Sequence, residues 1–200
     1  MILQRVAGLA AAALISAAAV AGPEPNQPAP VFQGQTVDGQ TVSLDDFKGS
    51  PVILEWTNHD CPYVQKHYET TNMQSLQKRL TDQGAVWLTV ISSAPGKQGH
   101  VAAAEAKQLT QSRQAAPSHV ILDPDGQIGR LYEARTTPHM FVIDRAGVLR
   151  YMGAIDDKPS TRPATVNGAR NYVLAAFEAV QAGRAPDAQA TQPYGCSVKY

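Results

Sequence analysis

Cys61 and Cys196 are the only thiols in the 200-residue chain. Cys61 stands in the run Trp56-Thr57-Asn58-His59-Asp60-Cys61-Pro62-Tyr63-Val64. Val52 to Trp56 is apolar and reads as a central strand. Asn58 to Cys61 reads as a loop. A helix is predicted from Pro62, because proline suits the first helical position. Cys61 then sits at the helix N-terminus, where unpaired N–H groups and the positive helix end favour a thiolate. A thiolate attacks disulfides and peroxides. His59 could add positive charge or carry a proton, and Asp60 acts against it. Two other readings stay open. Cys61 could be a small buried hydrophobe. It could also form a purely structural disulfide with Cys196, worth ~4–5 kcal/mol by chain entropy for so long a loop.

Arg135-Thr136-Thr137-Pro138-His139-Met140 precedes a strand. From the residues alone, Pro138 is an ordinary trans proline opening that strand, because few X-Pro bonds are cis. Glu55 lies within an apolar strand. A buried carboxylate must be paired or protonated, so Glu55 is either a proton relay near Cys61 or an edge residue bonded to a neighbour. Trp56 and Trp87 are expected to pack in or beside the core on neighbouring strands, and Tyr63 to pack or to border the Cys61 pocket. His67 and His100 are expected on solvated surface, and His119 at the approach to a strand. His59, Cys61 and His139 could converge on a copper-type metal, but one local thiolate is a poor ligand set. No metal or cofactor is expected. Asp123-Pro124-Asp125-Gly126 reads as a turn rather than a calcium loop. Gly96-Lys97-Gln98 lacks the residues of a phosphate loop.

The elements that must position these groups follow from pattern. Met1 to Ala21 carries one charge, Arg5, then an apolar Ala-rich run and Ala19-Val20-Ala21. This is the pattern of a secretory signal peptide. It is too short for a comfortable membrane anchor, and export places the thiols in an oxidising compartment. Residues 22–30 hold four prolines and read as an extended linker. A hairpin is expected over 31–43 around Asp38-Gly39, and a helical turn over 44–49. The helix from Pro62 to about Gln83 has a weak point at Thr70-Thr71-Asn72 and stops at Gly84. Strands follow at 85–92 and 120–122, with a helix over 101–113 between them. A short helix over 128–132, a hairpin of 140–143 with 148–152, and a helix over 170–181 complete the domain of residues 31–184. Residues 185–200 read as a mobile tail. This order predicts an α/β fold with a mixed central sheet flanked by helices, parallel where strands alternate with helices.

The chain has 17 basic and 17 acidic residues and 44% hydrophobic residues. That is the composition of one globular domain. Net neutrality, with no block of like charge, gives no pull toward nucleic acid.

Five motifs occur in order: EWTNHDCPYVQKHY from Glu55, SSAPGKQGH from Ser92, TTPHMFVID from Thr136, GAIDDKPST from Gly153 and PYGCSVKY from Pro193. Together they resemble thioredoxin-like redoxins of the alkyl hydroperoxide reductase/thiol-specific antioxidant family, in an exported bacterial subgroup, over about residues 31–200. The resemblance implies a thioredoxin-like fold, Cys61 at the redox position, and a cis Pro138 beside it. It reverses the reading of Pro138. The departures matter too. Val64 stands where a thioredoxin has its second cysteine, and Asn58 where some relatives carry one. Thr57 is one residue too early for the peroxidase Pro-x-x-x-Thr/Ser-x-x-Cys pattern.

Cys196 is therefore the remaining intramolecular thiol. The expected activity is exported thiol–disulfide exchange. Cys61 is the nucleophile, Cys196 the resolving thiol, and the Thr137 backbone aligns a partner beside Pro138. Partners are a protein or small-molecule thiol or disulfide, or a peroxide, with an external reductant. The alternatives are a thiol-dependent peroxidase, or a non-catalytic module stapled by Cys61 and Cys196.

Overall fold

The computed structural model describes residues 22–200. The signal-peptide reading of residues 1–21 lies outside them. Nine strands and five α-helices occur in this range: β1 (Gln33–Thr36), β2 (Thr41–Ser43), β3 (Val52–Trp56), α1 (Pro62–Glu69), α2 (Asn72–Asp82), β4 (Val86–Ile91), α3 (Ala103–Ser112), β5 (His119–Leu122), α4 (Gln127–Leu131), β6 (Thr136–Thr137), β7 (His139–Ile143), β8 (Leu149–Gly153), α5 (Tyr172–Gln181) and β9 (Cys196–Ser197). Seven strands form one sheet in the order β2-β1-β5-β4-β3-β7-β8. β3 pairs parallel with β4, and β4 with β5. β7 joins β3 antiparallel and carries β8 at the edge. β1 docks antiparallel on β5. The mixed sheet expected from the alternation of strands and helices is present.

β3 is buried at every position because both faces are covered. Val52, Leu54 and Trp56 face one side with Leu88, Val90, Phe141, Ile128 and Tyr132. Ile53 faces the other with Trp87, Met140, Val142 and the apolar stripes of α1, α2 and α5. α3 lies on this second side, its Ala106 packed with Val120 of β5. Trp56 and Trp87 are on neighbouring strands, as expected, but on opposite faces. Burying a large apolar side chain contributes roughly 1.5–3 kcal/mol, so this double-sided core fixes the end of β3 firmly.

Three expectations need correction. The weak point at Thr70-Thr71-Asn72 is a true break: Thr71 adopts a left-handed φ of 58°, and two helices result. Residues 22–30 are extended but not free. Asn26 N–H donates to Leu149 O, Leu149 N–H to Gln27 O, and Ala29 N–H to Gly147 O, so the segment lies along β8. The C-terminal segment is docked as well. β9 pairs antiparallel with β6, matching Thr137 to Cys196. Lys199 O accepts from Ala94 N–H, and the Tyr200 hydroxyl donates to Ala134 O.

Candidate active site

Cys61 is the N-cap of α1 and Pro62 its first residue. The loop before it is tied down locally. The Asn58 carbonyl accepts the Cys61 N–H at 3.1 Å, and its side-chain oxygen accepts the Asp60 N–H at 2.9 Å. The Asn58 amide reaches across to Gln98 O. The loop therefore presents Cys61 at one fixed place above the sheet.

Two other segments meet it there. The Thr137–Pro138 peptide bond is cis, as the resemblance implied and the residues alone did not. The Thr137 carbonyl lies 3.1 Å from Cys61 Sγ. Cys196, from β9, places its Sγ 2.7 Å from Cys61 Sγ and its N–H 3.4 Å away. Both cysteines are free thiols. Cys61 is fully buried and Cys196 half-buried, so the C-terminal segment covers the sulfur.

The two thiols are electrostatically unequal. Burial of Cys61 opposes its ionisation. Hydrogen bonds from the Cys196 thiol, the Thr137 side chain and the backbone N–H groups of Cys196 and Val64 outweigh that, and hold Cys61 below its ordinary value. Cys196 is pushed up to about 11 by burial, by its bond to Cys61 and by the charge Cys61 acquires. Cys61 is the thiol that ionises first, with Cys196 as its S–H donor.

His59 does not join them. Its Nε2 lies 3.3 Å from Asp60 Oδ1, and its carbonyl accepts from Gln65 and Arg113. His139 is buried in β7 against Phe141, its Nδ1 accepting the Arg135 N–H. Burial, with nearby Arg135, lowers it to about 3 and keeps it neutral. Among the described residues, no three His, Cys, Asp or Glu side chains group as a metal site. Glu55 is buried in the sheet's middle, not at an edge. It accepts from Tyr68, Gln77, Trp87 and Thr89 at 2.8–3.1 Å, and Cys61 is not among its partners.

His67 is a correction. It was expected on the surface, yet it is fully buried and lowered to about 3, first by burial and then by Lys66. It belongs to a polar cluster that sequence reasoning passed over: Lys66, His67, Asp156 and Tyr194. Three of the quoted motifs each supply a member, but nothing in their spacing shows that the members meet. Tyr63 packs edge-on against Tyr194, 5.8 Å between centroids, so it borders the covering segment.

The fold has relatives. A Geobacillus kaustophilus conserved protein superposes with a TM-score of 0.76 at 23% identity, covering 88% of this chain and 92% of its own. A candidate thiol:disulfide interchange protein DsbE from Chlorobium tepidum superposes with a TM-score of 0.53 at 25% identity, covering 66% and 85%. The architecture is the thioredoxin-like fold. Thioredoxin-like protein YneN of Bacillus subtilis is 29% identical over 130 residues, 64% of this chain and 71% of that protein. The AhpC/TSA family model matches residues 25–152, a span that holds Cys61 and the cis proline, and the chain belongs to the AhpC/TSA family.

Proposed function

We propose that this protein is an exported thiol–disulfide oxidoreductase in which Cys61 is the nucleophile and Cys196 the resolving thiol. The observation that carries the reading is the 2.7 Å contact between the two sulfurs, with the Cys61 thiol held low and the Cys196 thiol high. Membership of a redoxin family and the likeness to a DsbE-type protein support the reaction class. The leader-like residues 1–21 support export. No helix among the described residues is long and apolar enough to cross a membrane.

The reaction balances with two thiols and one disulfide. The Cys61 thiolate attacks one sulfur of a partner disulfide; a mixed disulfide forms and the partner's other sulfur leaves as a thiolate. Cys196 loses its proton and attacks Cys61 Sγ, and the second partner sulfur leaves. The partner gains two electrons and two protons, and the protein retains a Cys61–Cys196 disulfide. An external dithiol restores the reduced state by the reverse exchange. Backbone groups of Thr137, now paired with β9, suit an extended partner strand once the C-terminal segment lifts.

The test is disulfide reduction by the dithiol-supplied protein, with peptide mapping of both oxidation states. We expect activity that is lost in Cys61→Ser and a Cys61–Cys196 linked peptide that appears on oxidation and disappears on mild reduction. A link that resists reduction overturns the reading in favour of a structural staple. Two folded single Cys→Ser variants without thiol reactivity overturn it in favour of a non-catalytic module.

A further inference from the structure

One buried polar cluster has no part in that exchange. Lys66 and His67 lie on α1, one turn and more beyond Cys61, and Asp156 follows β8; all three are within 2% of full burial. The Tyr194 hydroxyl sits among them. It accepts from Lys66 Nζ at 3.3 Å, lies 3.4 Å from His67 Nε2, and donates to Asp156 Oδ1 at 2.5 Å. The cluster is otherwise closed. Lys66 also donates to Lys158 O, the Lys158 N–H to Asp156 Oδ1, and Asn72 holds His67 Nδ1.

A phenol is suited to this place because one oxygen both accepts and donates. It bridges a buried cation and a buried anion, each of which is costly if left without a partner. Tyr194 is two residues from Cys196, so fixing its ring leaves Cys196 a reach of only a few ångströms. Lifting the segment would expose Lys66 and Asp156 to water, and water can replace the phenol. The contact therefore holds without being permanent.

We propose that Tyr194 is a positioning residue: its hydroxyl, held between Lys66 and Asp156, latches the C-terminal segment so that Cys196 sits on Cys61 and partners reach Cys61 only when the latch opens. This rests on the reading of Cys61 and Cys196 as the reacting pair. Weakening the latch raises the exposure of Cys61. It also lowers the effective concentration of Cys196 at Cys61.

Two readouts test it on the full chain. The first is the rate at which iodoacetamide alkylates Cys61 in reduced Cys196→Ser, with and without Tyr194→Phe. The second is the Cys61–Cys196 equilibrium of the two-thiol chain in glutathione buffers, with and without Tyr194→Phe. Loss of a hydrogen bond to charged groups predicts about tenfold faster alkylation and about tenfold weaker disulfide formation. The thermal midpoint, measured alongside, separates a local latch from global loosening. Asp156→Asn keeps an acceptor but removes the charge, and should move both readouts the same way by less; it also carries the test if Tyr194→Phe does not fold. Folded variants with both readouts unchanged overturn the proposal. If the wild-type chain forms no Cys61–Cys196 bond at any redox ratio, the paired-thiol reading fails, while the alkylation rates still decide the latch.

Discussion

Gly195 lies directly against the carbonyl of Thr137: a Cβ on residue 195 would collide with that oxygen. Its φ of +145° is also one that side-chain-bearing residues rarely adopt. Both facts follow from β9 lying beside β6 at the cis proline. Gly195→Ala should therefore lift the strand carrying Cys196, without touching the sheet core. We expect faster alkylation of Cys61 and slower closure of the Cys61–Cys196 disulfide. Far-UV dichroism should stay unchanged, because the seven-stranded sheet is elsewhere. Wild-type alkylation rates in Gly195→Ala would show that the close approach does not control access.

The inequality of the thiols predicts a pH profile. Cys61 is depressed, so its thiolate and its alkylation rate should rise with pH about a midpoint below the ordinary thiol value of about 8.5. Cys196, pushed up to about 11, should stay protonated across that range and keep donating to Cys61. In Cys61→Ser the raising influence of Cys61 on Cys196 disappears, though burial does not. Cys196 should then titrate lower than in the wild type. The alkylation rate of Cys61 against pH in the two-thiol chain measures the first, and thiolate absorbance against pH in Cys61→Ser measures the second. A Cys61 midpoint at or above 8.5 would remove the basis for naming it the nucleophile.

Cys196→Ser should convert an exchanging protein into a trapping one. The mixed disulfide at Cys61 still forms, but no second thiol is placed to release it. Peptide mapping after exposure to a disulfide substrate should find Cys61 joined to the substrate, with a lifetime at least tenfold longer than in the wild type, an order-of-magnitude expectation from losing an intramolecular attacker. Peroxide offers a contrast. Oxidation of Cys61 to a sulfenic acid, followed in the two-thiol chain by the Cys61–Cys196 disulfide, would mark peroxidase chemistry on the same pair. Equal mixed-disulfide lifetimes in both chains would deny Cys196 its resolving role.

What the residues disclosed and what they concealed divides by range. The N-cap position of Cys61 was legible because it depends on a local signal, an apolar strand followed by Cys-Pro. The parallel β3-β4-β5 core was legible from the alternation of strands and helices. The Thr70–Asn72 weak point was visible, but not that Thr71 would turn left-handed and divide the helix. The burial of His67 was not legible. By type and neighbours it belongs on a surface, and it is buried only because Tyr194 and Asp156, distant in sequence, complete its surroundings. Pro138 is an intermediate case: the resemblance of the motifs implied its cis bond, and the residues alone did not. Few X-Pro bonds are cis, and the segments that meet this one, Cys61 and β9, are distant in sequence. Composition gave residues 22–30 their extended form but not their docking on β8, because those bonds are made by backbone groups common to every sequence.

Glu55 tests whether a buried charge near the site is catalytic or structural. Its carboxylate receives four donors: Oε1 takes the Tyr68 hydroxyl, and Oε2 takes Gln77, Trp87 and Thr89. Burial nevertheless wins over these bonds and raises its ionisation above the ordinary carboxyl value. A group whose folded value is raised contributes stability that is full below its unfolded value and is lost as pH rises through the folded one. Glu55→Gln can keep its oxygen toward the three donors and turn its amide toward the Tyr68 oxygen, and it carries no ionisation penalty. Its cost relative to wild type should be greatest near pH 4 and shrink as pH approaches neutrality. Glu55→Ala leaves several buried donors without an acceptor, and should cost on the order of 3 kcal/mol or more. Denaturant unfolding of both variants at several pH values measures this. Because Cys61 is not among its partners, Glu55→Gln should leave the Cys61 alkylation profile in place. A profile that moves with Glu55→Gln would make Glu55 part of the thiol chemistry after all.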